Sequence, residues 1–515
     1  MRSLVSLFWS LAALGTLVDA ASIPRYFERQ PRTRHNLDSA LVQRELGELA
    51  SDSIVIFGPG DDRYPEAIAR WNMFAVPQIQ VVVVPGEESD VSIIVKYCNE
   101  NSIAFLAING GHGNPNSLGT FNGIQIRMEA LDNIDIQPDG KSAWFGGGAR
   151  GGPVTKQLWD LGYVTTTGSC ECVGLLGAGL GGGHGRHEGP YGMISDNIRQ
   201  LNVVLGNGSA IRVNATSHSD LLWGMKGAGH NFGIVTSAEL NIFPRGPDTW
   251  HYHNYLWRGD KLEAVFSALN DFHDKGNTPV NMTTNFGNFL VNASITTDEP
   301  IIWWTFAYRG TAAEANKHLA RFDAIESAYE ESGDIPYTLV AKAQQTAEDD
   351  FICLPGNIRI TTTAGLQLYN ITAERQIFDG FQRRITTEPE LAVGCGILHE
   401  GYSTEAVGAQ NPADSAYPFR ADHHLMLFDA VVPPNNPALE RAAWEWAKEV
   451  RDQWNGGQPT RPVNAYVNYA NGFETLEEKY GHESWRLRRL RGLKAKYDRD
   501  NKFRYFNPIV GRRGH

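Results

Sequence analysis

The chain has 515 residues, 42% hydrophobic and 20% charged, enough to bury a large core and to divide into two or three domains. Its formal net charge of -12 offers no general positive face for phosphate backbones and argues against a nucleic-acid partner. The 53 Gly follow no three-residue period, which excludes a collagen-like chain, and the 13 Trp, 18 Tyr and 23 Phe point to thick cores and an aromatic-lined pocket.

The N-terminus reads as an export signal. Arg2 precedes an apolar run over residues 4–18, and Val18-Asp19-Ala20 ends in a small residue suited to cleavage. Residues 1–20 are expected to be removed and the protein to be secreted. No later run reaches the roughly 20 apolar residues of a membrane span, so no membrane association is expected. Asn207, Asn214, Asn281, Asn292 and Asn370 head Asn-x-Ser/Thr sequons and are candidate glycan sites. Cysteine is scarce and odd in number: Cys98, Cys170, Cys172, Cys353 and Cys395. If one is bonded to a cofactor, four remain, enough for at most two disulfides.

Residues 21–50 are a polar lead-in broken by Pro24 and Pro31. A strand is expected at 54–57, before the turn Gly58-Pro59-Gly60, and another at 79–84. Asp90 can cap a helix that places Val91, Ile94, Val95 and Cys98 on one face. A strand at 103–108 runs straight into Asn109-Gly110-Gly111-His112-Gly113. This order suggests a nucleotide-binding unit, but the glycines lack the G-x-G-x-x-G spacing of a dinucleotide fingerprint. Strands follow at 123–127, 133–137 and 142–147, then a helix at 153–161. A second glycine patch holds Gly168, Gly174, Gly177, Gly179, Gly181, Gly182, Gly183, Gly185 and Gly189. Strands at 201–205 and 210–213 flank the turn Asn207-Gly208; a short helix starts at Asp220, and a strand covers 233–238.

Glycine density falls after Phe243-Pro244. Residues 246–440 read as strands at 283–292, 301–308, 358–362, 395–400 and 424–431 with a helix at 312–329, the pattern of an antiparallel sheet covered by helices. This is the candidate substrate domain. A helix covers 435–450. The last helix, 484–497, carries Arg486, Arg488, Arg489, Arg491, Lys494 and Lys496, read as a solvated face beside the stripe Leu487, Leu490 and Tyr497. The aromatic end, with Phe503, Tyr505 and Phe506, is expected to dock back on the first domain. The fold class is α+β.

Backbone N–H groups in glycine loops can cradle a pyrophosphate, so the two patches can enclose a flat phosphorylated cofactor or serve only tight turns. Cys170 can be a buried thiol or pair with Cys172. A zinc site with His184 and His187 would need better-placed ligands, and no H-E-x-x-H motif occurs, so no metal is assigned.

Gly110-Gly111-His112, Gly168-Ser169-Cys170-Glu171-Cys172-Val173-Gly174 and Gly182-Gly183-His184-Gly185 together resemble the berberine-bridge-type flavin oxidases of the vanillyl-alcohol-oxidase superfamily. Tyr191-Gly192, Asp196-Asn197 and the run from Gly227 to Thr236 fit the same pattern. The resemblance is close over about 50–245 and looser over 460–509. It implies a PCMH-type FAD domain over 51–245, a substrate domain over 246–440, and a segment 441–515 that completes the FAD domain. It implies FAD bonded through its 8α-methylene to His112 and through carbon 6 to Cys170. Asn109, Gly110, Gly111, Gly113, Asn114, Gly174, Gly177, Gly181, Gly182, Gly183, Gly185, Tyr191, Gly192, Asp196, Asn197, Gly233, Ile234, Val235 and Asn507 are the further residues expected to hold it. A small residue at Val173 is associated in the family with oxygen access. Ala465-Tyr466-Val467-Asn468-Tyr469 resembles the family's Tyr-x-Asn-Tyr segment, with Tyr469 as base and Tyr466 as its hydrogen-bonding partner. Glu171, Cys172 and Asn507-Pro508 depart from the usual residues.

The resemblance implies hydride transfer from an alcohol, amine or allylic C–H to FAD, with O2 reoxidation giving H2O2. Alternatives are a dehydrogenase with another acceptor, a cyclase or oxidase step in secondary metabolism, or a binding glycoprotein that has lost its chemistry. The resemblance implies a small organic substrate: a sugar, an aromatic alcohol or a secondary metabolite.

Overall fold

The valine run at 81–84 sits at the centre of a four-stranded sheet in a computed structural model, which describes residues 34 and 36–510. The export signal lies outside the described residues. β1 (Val55–Phe57) pairs antiparallel with β2 (Gln78–Val84), while β3 (Phe105–Ile108) and β4 (Asn122–Arg127) give the order β1-β2-β4-β3. β4 runs parallel to both β2 and β3. The helix Glu88–Glu100 buries Val91, Ile94, Val95 and Cys98 completely, as the periodicity requires. Its N-cap is Glu87 rather than Asp90. Asp90 sits one turn in and accepts from the Glu87 and Gly86 N–H groups at 3.0 and 2.9 Å.

β5 (Ile134–Ile136), β6 (Ser142–Gly146), the short β7 (Tyr163–Val164), β8 (Ile198–Val204), β9 (Ala210–Asn214), β10 (Ile234–Asn241) and the short β11 (Phe243–Pro244) follow. Five of them form an antiparallel sheet in the order β5-β6-β10-β8-β9, and β7 pairs with β11.

A seven-stranded antiparallel sheet occupies the second half. Its strands are β12 (Trp250–Trp257), β13 (Met282–Leu290), β14 (Ile301–Tyr308), β15 (Tyr329–Ile335), β16 (Ile358–Leu366), β17 (Cys395–Gly401) and β18 (His424–Val432). Their order is β15-β12-β14-β13-β17-β18-β16. The helix expected over 312–329 ends at Asp323, and the chain turns back as the exposed edge strand β15. Acidic residues on an edge strand resist pairing with other chains.

Two further expectations are corrected. The helix Pro437–Gly456, assigned to the C-terminal segment, buries Ala443, Trp446, Ala447, Val450 and Trp454 in the core of the seven-stranded sheet. Its apolar stripe fits Phe381 and Phe428, whose rings meet Trp446 edge-on at 5.0 and 5.2 Å. The basic face of the helix Ser484–Tyr497 is not wholly solvated: Arg486 and Lys494 are fully buried. Lys494 donates to Asp498 at 2.7 Å and to the Asn231 and Phe503 carbonyls at 2.8 and 2.7 Å. These bonds tie the chain's end to the first domain, where Tyr505 meets Phe121 edge-on at 5.0 Å.

Candidate active site

β3 ends in the loop that carries His112. Asn109 anchors it, donating to the Gly147 and Ala149 carbonyls at 2.9 Å each. Gly111 has φ of +73°, a backbone state that favours glycine. A Cβ at Gly110 would stand 2.7 Å from the Cys172 carbonyl oxygen, so the two glycine loops touch and only glycine fits between them. The backbone N–H groups of residues 110–114 have no hydrogen-bond acceptor among the described residues. Behind them Arg70 is buried, donates to Gln125 at 2.5 Å, and pairs with no carboxylate among the described residues. The Trp71 ring stacks on the His112 ring at 5.7 Å. Burial, with the Arg359 and Arg150 guanidiniums nearby, pulls the His112 imidazole down to about 4, so it is neutral at pH 7.

The Cys170 loop is held from several sides. Arg186 donates to the Ser169 carbonyl at 2.6 Å, the Glu171 N–H donates to the Thr346 carbonyl at 3.0 Å, and the Gly151 N–H donates to the Val173 carbonyl at 2.9 Å. Burial pushes the Cys170 thiol up to about 12. Cys172 is disulfide-bonded to Cys353, which removes both a Cys170–Cys172 pair and a metal site using Cys172. Cys98 and Cys395 are buried thiols.

Facing these loops, the Tyr469 hydroxyl donates to Glu400 on β17, and so does the Tyr402 hydroxyl. Burial lifts the Glu400 carboxyl above its ordinary range, and the two hydroxyl bonds only partly oppose it. Burial and the Glu400 charge hold the Tyr469 hydroxyl well above 10. The sequence does not single out Glu400, because strand Cys395–Gly401 carries His399 beside it.

Tyr466 does not bond to Tyr469 through its hydroxyl. The rings meet edge-on at 5.0 Å, while the Tyr466 oxygen accepts from the Gly183 and His184 N–H groups at 3.0 and 3.3 Å and from the Asn468 amide at 2.7 Å. His184 beside it is fixed by Glu188 at 2.9 Å and the Tyr417 hydroxyl at 2.7 Å.

Trp71, His112, Cys170, His184, Glu400, Tyr466 and Tyr469 border one cavity of about 750 Å³. It is lined by Asn109, Gly110, Gly111, His112, Gly113, Asn114, Cys170, Val173, Gly174, Gly177, Gly233, Ile234, Val235, Tyr466 and Tyr469, all singled out by sequence. Gly181, Gly182, Gly183, Gly185, Tyr191, Gly192, Asp196, Asn197 and Asn507 do not line it. Added Cβ atoms at Gly181, Gly182, Gly183 and Gly185 would strike Asn468, Tyr417, Ile194 and the Thr167 carbonyl, so those glycines allow close packing within the protein. Tyr191 stacks on Phe243 at 3.7 Å, Asp196 pairs with Arg420 at 2.7 Å, and Asn197 donates to the Tyr191 and Met193 carbonyls at 3.0 Å each. A Cβ at Gly192 would stand 2.8 Å from the Asp196 carboxylate. Asn507 holds the Tyr466–Tyr469 turn from behind, donating to the Val467 carbonyl at 2.8 Å.

Opposite the glycine loops the wall is one face of the large sheet: Phe286, Asn288, Trp303, Leu398, Glu400 and Leu427. Asn288 pairs in register with Trp303 and Leu398, and Leu398 with Leu427. The unoccupied N–H groups, the buried guanidinium without a counter-ion and the glycine contact fit the pyrophosphate and flat ring of a flavin dinucleotide.

Comparison with known proteins agrees. An "FAD binding domain" family matches residues 79–214, and a "Berberine and berberine like" family matches residues 465–510. The chain is 49% identical to the FAD-linked oxidoreductase anuG of Penicillium roqueforti (strain FM164) over 93% of this chain and 94% of that one. The structure of a chitooligosaccharide oxidase superposes on 92% of this chain and 99% of its own with a TM-score of 0.75 at 21% identity. A structure concerned with the functional roles of the 6-S-cysteinyl, 8α-N1-histidyl FAD in glucooligosaccharide oxidase from Acremonium strictum does so over 92% and 99%, with a TM-score of 0.74 at 19% identity. The chain belongs to the berberine-bridge-like FAD-linked oxidoreductases.

Proposed function

We propose that the protein is a secreted oxidase that removes a hydride and a proton from an alcohol, amine or allylic C–H group of a small organic substrate and passes the electrons to O2, giving H2O2. One observation carries this reading: His112, Cys170 and the Tyr469–Glu400 pair open onto a single cavity. FAD, when bound, supplies the hydride acceptor. His112 and Cys170 would hold it by two covalent bonds, the arrangement named for the glucooligosaccharide oxidase above. The neutral His112 imidazole has a lone pair available for its bond. The N–H groups of residues 110–114 and Arg70 would hold the pyrophosphate.

The Tyr469 hydroxyl is too weak an acid to stand ionised at pH 7. It can still relay: as its oxygen takes the substrate proton, its own proton passes to Glu400. A carboxylate raised by burial is a stronger base than an ordinary one. Tyr466, its oxygen filled by three N–H donors, positions the turn.

Phe286, Trp303, Leu398 and Leu427 make the sheet-side wall mainly apolar. Burying a sugar's hydroxyls there would leave most of them unpaired, which favours a compact aromatic or similarly apolar alcohol. Exposed Asn207 suits a glycan, whereas Asn370 is engaged as the N-cap of Ile371–Thr387.

The test is anaerobic stopped-flow reduction with aryl alcohols and oligosaccharides, followed by peroxide measurement in air. Reduction by aryl alcohols with about one H2O2 per turnover is expected. Reduction without peroxide would assign a dehydrogenase, and reduction by oligosaccharides alone would overturn the substrate class.

A further inference from the structure

We propose that the Cys172–Cys353 disulfide is a guard for Cys170: it engages the thiol two residues away, which could otherwise capture the cofactor-bonding sulfur. The proposal rests on the covalent role assigned to Cys170 above.

Cys170 and Cys172 lie on one turn, closed by the Val173 N–H donating to the Cys170 carbonyl at 3.3 Å. Residues two apart are never separated by more than about 7 Å between Cα atoms, and disulfides form at about 4.4–6.8 Å. The pair is therefore always near bridging range. In an oxidising compartment two free thiols here would close: each gives up a proton and an electron, a disulfide oxidant such as glutathione disulfide takes both electrons, and two glutathione thiols are released. Cys170 would then have no thiol to offer.

Cys353 prevents this from 181 residues away. Both disulfide partners are buried, at 6% and 7% exposure, whereas Cys170 is only half-buried at the cavity wall. Hydrogen bonds also hold the loop in place. Arg186 bonds the Ser169 carbonyl, the Thr346 carbonyl takes the Glu171 N–H, and Gly151 and Gly152 donate to the Val173 and Glu171 carbonyls. The loop is thus positioned by hydrogen bonds on both sides of Cys172, which leaves the sulfur's pairing as the distinctive contribution of Cys353.

The experiment compares the full-length protein with Cys353→Ser and with the double variant Cys172→Ser/Cys353→Ser. Each is produced in an oxidising host, exposed to glutathione disulfide, and mapped by mass spectrometry of non-reduced peptides. Cys353→Ser is expected to show a Cys170–Cys172 disulfide and at least a fivefold fall in flavin on Cys170, with flavin on His112 retained. The double variant is expected to restore flavin on Cys170. Normal flavin on Cys170 in Cys353→Ser overturns the proposal, and so does equal loss in both variants, which would make the disulfide a positioning device. Should Cys353→Ser fail to accumulate, recovery by the double variant supports the guard and failure of both overturns it. If wild-type Cys170 carries no flavin, the covalent reading fails, while the disulfide map still decides the guard: a Cys170–Cys172 bond in Cys353→Ser alone supports it, and two free thiols there overturn it.

Discussion

The Tyr469 hydroxyl donates its hydrogen bond to Glu400, and the two side chains reach the cavity from different parts of the chain, a C-terminal turn and strand β17. This places a phenol and its proton acceptor in series. Tyr469→Phe removes the relay oxygen and Glu400→Gln removes the acceptor. Each is expected to slow flavin reduction by roughly 10²- to 10⁴-fold, the range for losing general-base catalysis. Substrate affinity should change far less. If the two act as one unit, as proposed, the double variant should be little slower than either single one. Stopped-flow reduction separates rate from affinity, and fully additive losses would mean that they act independently.

The same pair sets the pH dependence. Burial raises Glu400 above the ordinary glutamate value of 4.5. Below its raised pKa the carboxyl is protonated and cannot accept, so reduction should be slow in acid and rise as pH increases through that value. Glu400→Gln should flatten this limb. A wild-type limb at or below 4.5 would contradict the assignment.

Val173 lines the cavity two residues after the first covalent neighbour of Cys170. Val173→Leu is expected to slow reoxidation by air roughly tenfold, about 1.4 kcal/mol of barrier, and to spare anaerobic reduction. Equal reoxidation rates in the two proteins would remove Val173 from the oxygen path.

Lys494 is buried with Asp498 and bridges the last helix to the first domain. Lys494→Met leaves buried Asp498 without its counter-charge, held only by the Lys502 and Phe503 N–H groups, and should cost about 3–5 kcal/mol, read as a lower thermal midpoint with the C-terminal end released to protease. A midpoint equal to wild type would show that the segment is held without Lys494, by contacts such as the Ile509 N–H to Asn231 and the Tyr480 hydroxyl to the Asn507 carbonyl.

Much of this was legible from local pattern. The i, i+3, i+4, i+7 spacing of Val91, Ile94, Val95 and Cys98 required a helix with that face buried, and the strand before Asn109 placed the His112 loop at a sheet end. Other parts depended on tertiary context. β12 is hard to read because its polar residues His251, His253 and Asn254 are buried along with the aromatic ones, so they mark no solvent face. β15 escaped because its acidic residues read as the end of a helix. A glycine announces close approach without naming the partner: at Gly110 it is the second loop, whereas at Gly181 and Gly185 it is Asn468 and the Thr167 carbonyl. Glu400 could be recognised only once β17 and the Tyr469 turn faced each other. The partner of Cys172 lay 181 residues away, beyond any local signal.

The most direct measurement is a peptide map of the acid-precipitated, extensively washed protein. Flavin mass on both the His112 and the Cys170 peptides, with the yellow colour retained in the pellet, is the expected result. Flavin released entirely into the supernatant, with both peptides unmodified, would contradict the bicovalent site.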